Sequence, residues 1–228
     1  NNLIMLATIP EIILQDVIKK LLAYVRTDYA NKADKEQTIL YYLLNDQALR
    51  KYNFFEEAKS VFITKDTDQR HITVNMMFNR DRQAVPTIHI MLPSENEADM
   101  TLGIGEGERA FITDEDDTSL VRKTFNKRFR SNYNIVVTSE NVNEVILIYH
   151  VLRSLLISAN PHFNLKGLYN IKLGGRDLQI NPDLVPSHIF MKSISFDCEY
   201  EVGAIELIPI EYINDFDIEG TAETTIPI

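Results

Sequence analysis

From Ile13 onward apolar side chains fall at Leu14, Val17, Ile18, Leu21, Leu22 and Val25, while Gln15, Asp16, Lys19, Lys20 and Arg26 occupy the other positions. That spacing predicts an amphipathic helix. Pro10 suits its first turn, where no backbone N–H is needed, and Glu11 is favoured at the positive end of the helix dipole. Over 35–59, Leu40, Leu43, Leu44, Leu49, Phe54 and Phe55 are mixed with polar residues, predicting short helices broken near Asn45 and Asn53.

The period then changes. His71 to Phe78 and Thr87 to Leu92 are rich in β-branched and apolar residues at period two, the mark of strands. Asn79 to Pro86 between them is polar and ends in proline, which predicts an antiparallel hairpin with a long connection. Met100 to Ile104 and Arg109 to Thr113 suggest a second hairpin around Gly103, Gly105 and Gly107, with an acidic turn at Asp114 to Asp117.

Asn134 to Thr138 reads as a short apolar strand running into a helix start, because Asn141 followed by Glu144 has the spacing of a capping box. The helix to about Ile157 is apolar on almost every side, so it needs cover from a sheet and from something else, such as another subunit. Leu168 to Leu173 and Arg176 to Ile180 flank Gly174-Gly175 as a hairpin with a glycine turn. Phe190 to Glu201 and Ala204 to Tyr212 read as two long strands. The acidic stretch from about Asp215 reads as a mobile tail. The expected fold class is α+β: a curved, mainly antiparallel sheet with an N-terminal helix and a central buried helix packed on it. No linker or repeat divides the chain, so 1–228 is expected to be a single domain, with an inserted β-hairpin arm at about 80–130.

Composition narrows the chemistry. Of 228 residues, 45% are hydrophobic and 25% charged, which is ordinary for a globular chain. Lys and Arg total 23 against 33 Asp and Glu, a formal charge of −10 that opposes phosphate backbones unless one face is segregated. The single cysteine, Cys198, excludes an internal disulfide and a Cys-rich zinc site and reads as a small buried hydrophobe beside Phe196 and Tyr200. The opening Asn1 to Ala7 lacks the basic leader of a signal peptide. The longest apolar run, Val145 to Leu152, ends at Arg153 and is too short to span a membrane.

No enzyme signature emerges. His71, His89, His150, His162 and His188 are not paired at metal-ligand spacing, although His71 and His89 could be cross-strand neighbours. Gly103-Ile104-Gly105-Glu106-Gly107-Glu108 places carboxylates where a phosphate would sit, and no Gly-x-Ser-x-Gly occurs. No catalytic, metal or cofactor-binding residue is expected. The one concentrated basic segment holds Arg122, Lys123, Lys127, Arg128 and Arg130 with Phe125 and Phe129 between them. In isolation it fits single-stranded nucleic acid. The neighbouring Glu106, Glu108 and Asp114 to Asp117 make a copy-to-copy contact between acidic and basic surfaces at least as natural; a solvated or intramolecularly paired strand ranks first, a subunit contact second and DNA third, and these five cations are the candidate subunit-contact residues.

Tyr133 to His150, read as a strand and a capped helix, followed by Ile171 to Asp177 and the Phe190 to Tyr200 strand, resembles the tail-terminator-like neck proteins of tailed bacteriophages, including the ring proteins of crAss-like phages. The likeness covers about half the chain, Asn134 to Tyr212 best, and rests on pattern rather than an invariant motif. The region 79–130 departs from a minimal terminator as an insertion or extended arm. The resemblance implies a non-enzymatic head–tail connector in the virion neck, made in the host cytoplasm. It implies a ring of six or twelve copies of itself, seated between portal or adaptor and tail proteins, with genome DNA passing through an acidic lumen unbound. It implies no cofactor and no membrane contact. The competing reading is a small nucleic-acid-binding or adaptor protein using segment 122–130.

Overall fold

The structure, a computed structural model, describes residues 8–45, 54–64, 71–77, 86–98, 107–108, 112–113, 120–178 and 189–209. The expected Gly103–Gly105 turn, the Asp114 to Asp117 turn and the tail from Asp215 lie outside these residues. Five α-helices are described: α1 (Pro10–Asn31), α2 (Ile39–Leu44), α3 (Phe54–Phe62), α4 (Val142–Ser158) and α5 (Asn160–Leu165). The strands are β1 (Thr73–Met76), β2 (Thr87–Glu97), β3 (Gly107–Glu108), β4 (Ile112–Thr113), β5 (Leu120–Ser139), β6 (Tyr169–Leu173), β7 (Arg176–Asp177) and β8 (Phe190–Pro209). The chain is α+β, with a mixed sheet. It forms two compact units: the larger comprises 8–98 and 129–200, and the other takes its described residues from 99–128 and 201–209.

In the larger unit the strand order is β1-β2-β5-β8-β6, with β7 also on β8. α1 begins with Pro10 in its first turn and buries Leu14, Val17, Ile18, Leu22 and Val25, the face that the sequence period selects. Gln15, on the same helix, donates from Nε2 to the Val74 carbonyl of the edge strand β1 at 3.1 Å. The α2 helix stops at Asn45, one of the two predicted breaks; the other, Asn53, lies outside the described residues.

β1 and β2 are not a hairpin. They pair in parallel, Thr73 with Thr87 through Met76 with Ile90. Met77 takes a positive φ of 62°, which turns the chain out of β1, and Pro86 brings it back beside the start of β1, its carbonyl accepting from Thr73 N. Period two fixes faces but carries no direction, so it could not distinguish the two pairings. β2 then pairs antiparallel with β5, and an extra residue between Met91 and Ser94 bulges at Pro93, which has no N–H for the ladder.

Two further expectations are corrected. β6 and β7 both pair with β8, Leu173 with Phe196 and Arg176 with Ser193, so Gly174-Gly175 does not reverse the chain. The glycines allow close approach: a Cβ at Gly174 would overlap the Ser195 hydroxyl, and one at Gly175 the Tyr149 hydroxyl. Phe190 to Pro209 is one strand rather than two, because a lone glycine, Gly203, does not supply a turn. Likewise β5 unites the basic segment and the apolar Asn134 to Thr138 run in a single 20-residue strand.

α4 opens on Asn141, whose side chain accepts from Asn143 N at 2.9 Å. The capping box is closed through Ser139: Asn141 N donates to the Ser139 hydroxyl at 3.2 Å, and that hydroxyl donates to Glu144 at 2.6 Å. Val145, Leu147, Ile148, Tyr149, Val151, Leu152, Leu155 and Leu156 are buried. On one side Tyr149 meets Lys192 of β8, whose Nζ stands 4.9 Å from the ring centre; on another, α4 packs against α2 and α3. The extra cover expected from another subunit is therefore largely supplied by the chain's own helices. Each fully buried aliphatic here stabilises the unit by about 1.5–3 kcal/mol, an upper bound because the unfolded chain is itself partly compact.

Candidate subunit-contact surfaces

Arg122, Lys123, Lys127, Arg128 and Arg130 all lie on β5. The Arg122 backbone pairs with Ile112, while the side chains of Arg122 and Lys123 are outside the described residues. Lys127 and Arg130 are exposed. Arg128 is half-buried, and its Nη2 donates to Glu201 at 3.2 Å within the smaller unit. Arg130 stands opposite Asn96, between the partners of Glu95 and Glu97 on β2. Strand alternation sends Lys127 to the opposite face from Arg128. Phe129 stacks on Tyr200, ring centres 6.2 Å apart at 30°, so this aromatic is engaged inside the larger unit rather than presented as a base platform.

The sheet interior near Arg130 is polar and closed. Tyr133 donates to Glu11 of α1 at 3.0 Å, Ser131 to the Tyr200 hydroxyl at 3.5 Å, and Tyr200 in turn to Glu95. Asn132 donates to Asp197. Burial first, and then Glu11, raise the Tyr133 pKa far above that of a free phenol. Cys198, beside these groups, is 1% exposed, and burial followed by Asp197, Glu11, Glu199 and Glu95 pushes its thiol up to about 12. It is the buried hydrophobe expected, held protonated at neutral pH.

The histidines are dispersed. His89 lies opposite Asn75, so His71, two residues before β1, is not its cross-strand partner. His150 is exposed on α4, His162 lies on α5, and His188 is outside the described residues. Among the described residues no group of three or more His, Cys, Asp or Glu could hold a metal ion.

Sequence reasoning missed two apolar surfaces of the larger unit. Leu43, Leu44, Phe54, Ile146, Leu147, His150, Val151 and Ser154 line a pocket of about 350 Å³ between α2, α3 and α4. Tyr42, 75% exposed, and Val142, 46% exposed, lie on the same helices. At the start of α1, Ile9 and Ile12 are half-exposed; Leu165, ending α5, is 82% exposed, and Tyr169 follows it. Between Leu165 and Tyr169, a Cβ at Gly167 would stand 3.5 Å from the Thr8 hydroxyl. Leu165 sits in the polar context Asn164-Lys166, and nothing in the linear pattern marks it as prominent.

Among the described residues no helix is long and apolar enough to cross a membrane. No protein-family model matches the chain, and no curated protein matches it.

Proposed function

We propose that this chain is a structural component of the neck of a tailed bacteriophage, a tail-terminator-like subunit that closes into a ring joining the portal or adaptor to the tail. The observation carrying this reading is the sequence β5, Ser139-relayed cap, α4, and then β6 and β7 laid along the long strand β8, with α1 and α4 contributing to the core. The strand and capped helix support the likeness, while β6 and β7 on one long β8 stand where a hairpin and two strands were expected. The net charge of −10 suits a lumen through which DNA slides without adhering.

Such a subunit works through contacts with copies of itself and with the layers above and below, in a virion assembled in the host cytoplasm. Heterologous contacts of this kind close when the rotation divides evenly among the copies. The test is the mass of the purified protein across concentration by light scattering, with negative-stain imaging of large species. Rings of six or twelve copies support the reading. A monomer at every concentration, together with salt-sensitive oligonucleotide binding lost when Lys127 and Arg130 are neutralised, would favour the nucleic-acid alternative instead.

A further inference from the structure

We draw no further inference here: the strongest candidate, the apolar pocket between α2, α3 and α4 walled by Leu43, Phe54, Ile146 and Val151, carries none, because nothing in the structure shows what covers it.

Discussion

Asp28 of α1 accepts a hydrogen bond at 2.7 Å from the backbone N–H of Ile39, the first residue of α2. The carboxylate also pairs with Lys32 at 2.7 Å, and its side chain is only 8% exposed. Thr38 caps the same helix start by accepting from Tyr41 N, and Lys35 donates to the Tyr29 and Lys32 carbonyls at the end of α1. One acid and two lysines thus fix the corner from which α2 reaches the pocket.

Removing that acid should loosen the corner. Asp28→Ala is expected to cost about 1–3 kcal/mol in urea unfolding, and Asp28→Asn less, because the amide oxygen can still accept from Ile39. Burial pushes the Asp28 carboxyl up, but the Lys32 hydrogen bond, the Ile39 N–H and the Lys32 charge together outweigh it and leave the pKa below its ordinary 3.8. The folded value is depressed, so this contribution is present above 3.8 and is lost as pH falls through the folded pKa. The Asp28→Asn protein should show a flatter acid limb.

His89 gives a second acid-side prediction. It is 4% exposed, and its Nδ1 donates to the Met77 carbonyl at 3.1 Å. Burial lowers its pKa below 6.5, and the Met77 contact only partly opposes that. Stability from the neutral ring is present above 6.5 and falls as pH drops through the folded value, by at most about 1.4 kcal/mol per pH unit for one site. Denaturant midpoints measured between neutral pH and pH 5 should converge for wild type and His89→Gln as the pH falls. Parallel curves would show that His89 does not drive the loss.

Gly175→Ala places a methyl group against the Tyr149 hydroxyl, with the ring carbon bearing it 2.8 Å away. Tyr149 is 4% exposed and lies beneath Lys192, so it cannot swing clear without disturbing α4. A destabilisation of about 1–3 kcal/mol is expected. Adding Tyr149→Phe removes the nearest atom and should return part of that loss, a coupling that a double-mutant cycle in thermal unfolding would register.

At alkaline pH the buried acids set the limit. Burial is the first cause that raises both Cys198 and Tyr200 to about 12, with Glu95 adding to the Tyr200 shift. Their unfolded values are 9.0 and 10.0, so stability is fully present below about 9 and declines as pH rises toward 12. A thiol reagent should therefore label Cys198 at the rate of global unfolding, and a fast native-state reaction at pH 8 would contradict its burial.

What the sequence made legible depended on how local each determinant is. The α1 face, the break at Asn45 and the Asn141 start of α4 follow from neighbours within a few residues, and all three appear. Strand direction was not legible, because the parallel β1–β2 pairing turns on the backbone sign at Met77. Gly174-Gly175 has the composition of a turn yet serves as a clearance for Ser195 and Tyr149, partners in β8 and α4 that no local pattern names. Among the proposed contact residues, the basic segment could be read as a strand, but the Glu201 partner of Arg128 lies 73 residues away. The α2–α3–α4 pocket depends wholly on tertiary packing.

The side-chain bonds through the central sheet have a temporal consequence. Tyr133 reaches back 122 residues to Glu11, Tyr200 reaches 105 residues to Glu95, and Asn132 waits for Asp197, 65 residues later. On a ribosome, β5 emerges with β2 available on one flank and nothing on the other until β8 has been translated. Its nascent flank is an open ladder for that interval, and contacts of such long separation also form slowly. The yield of native protein should therefore depend on the speed of elongation between residues 140 and 190 and on the crowding of neighbouring nascent chains.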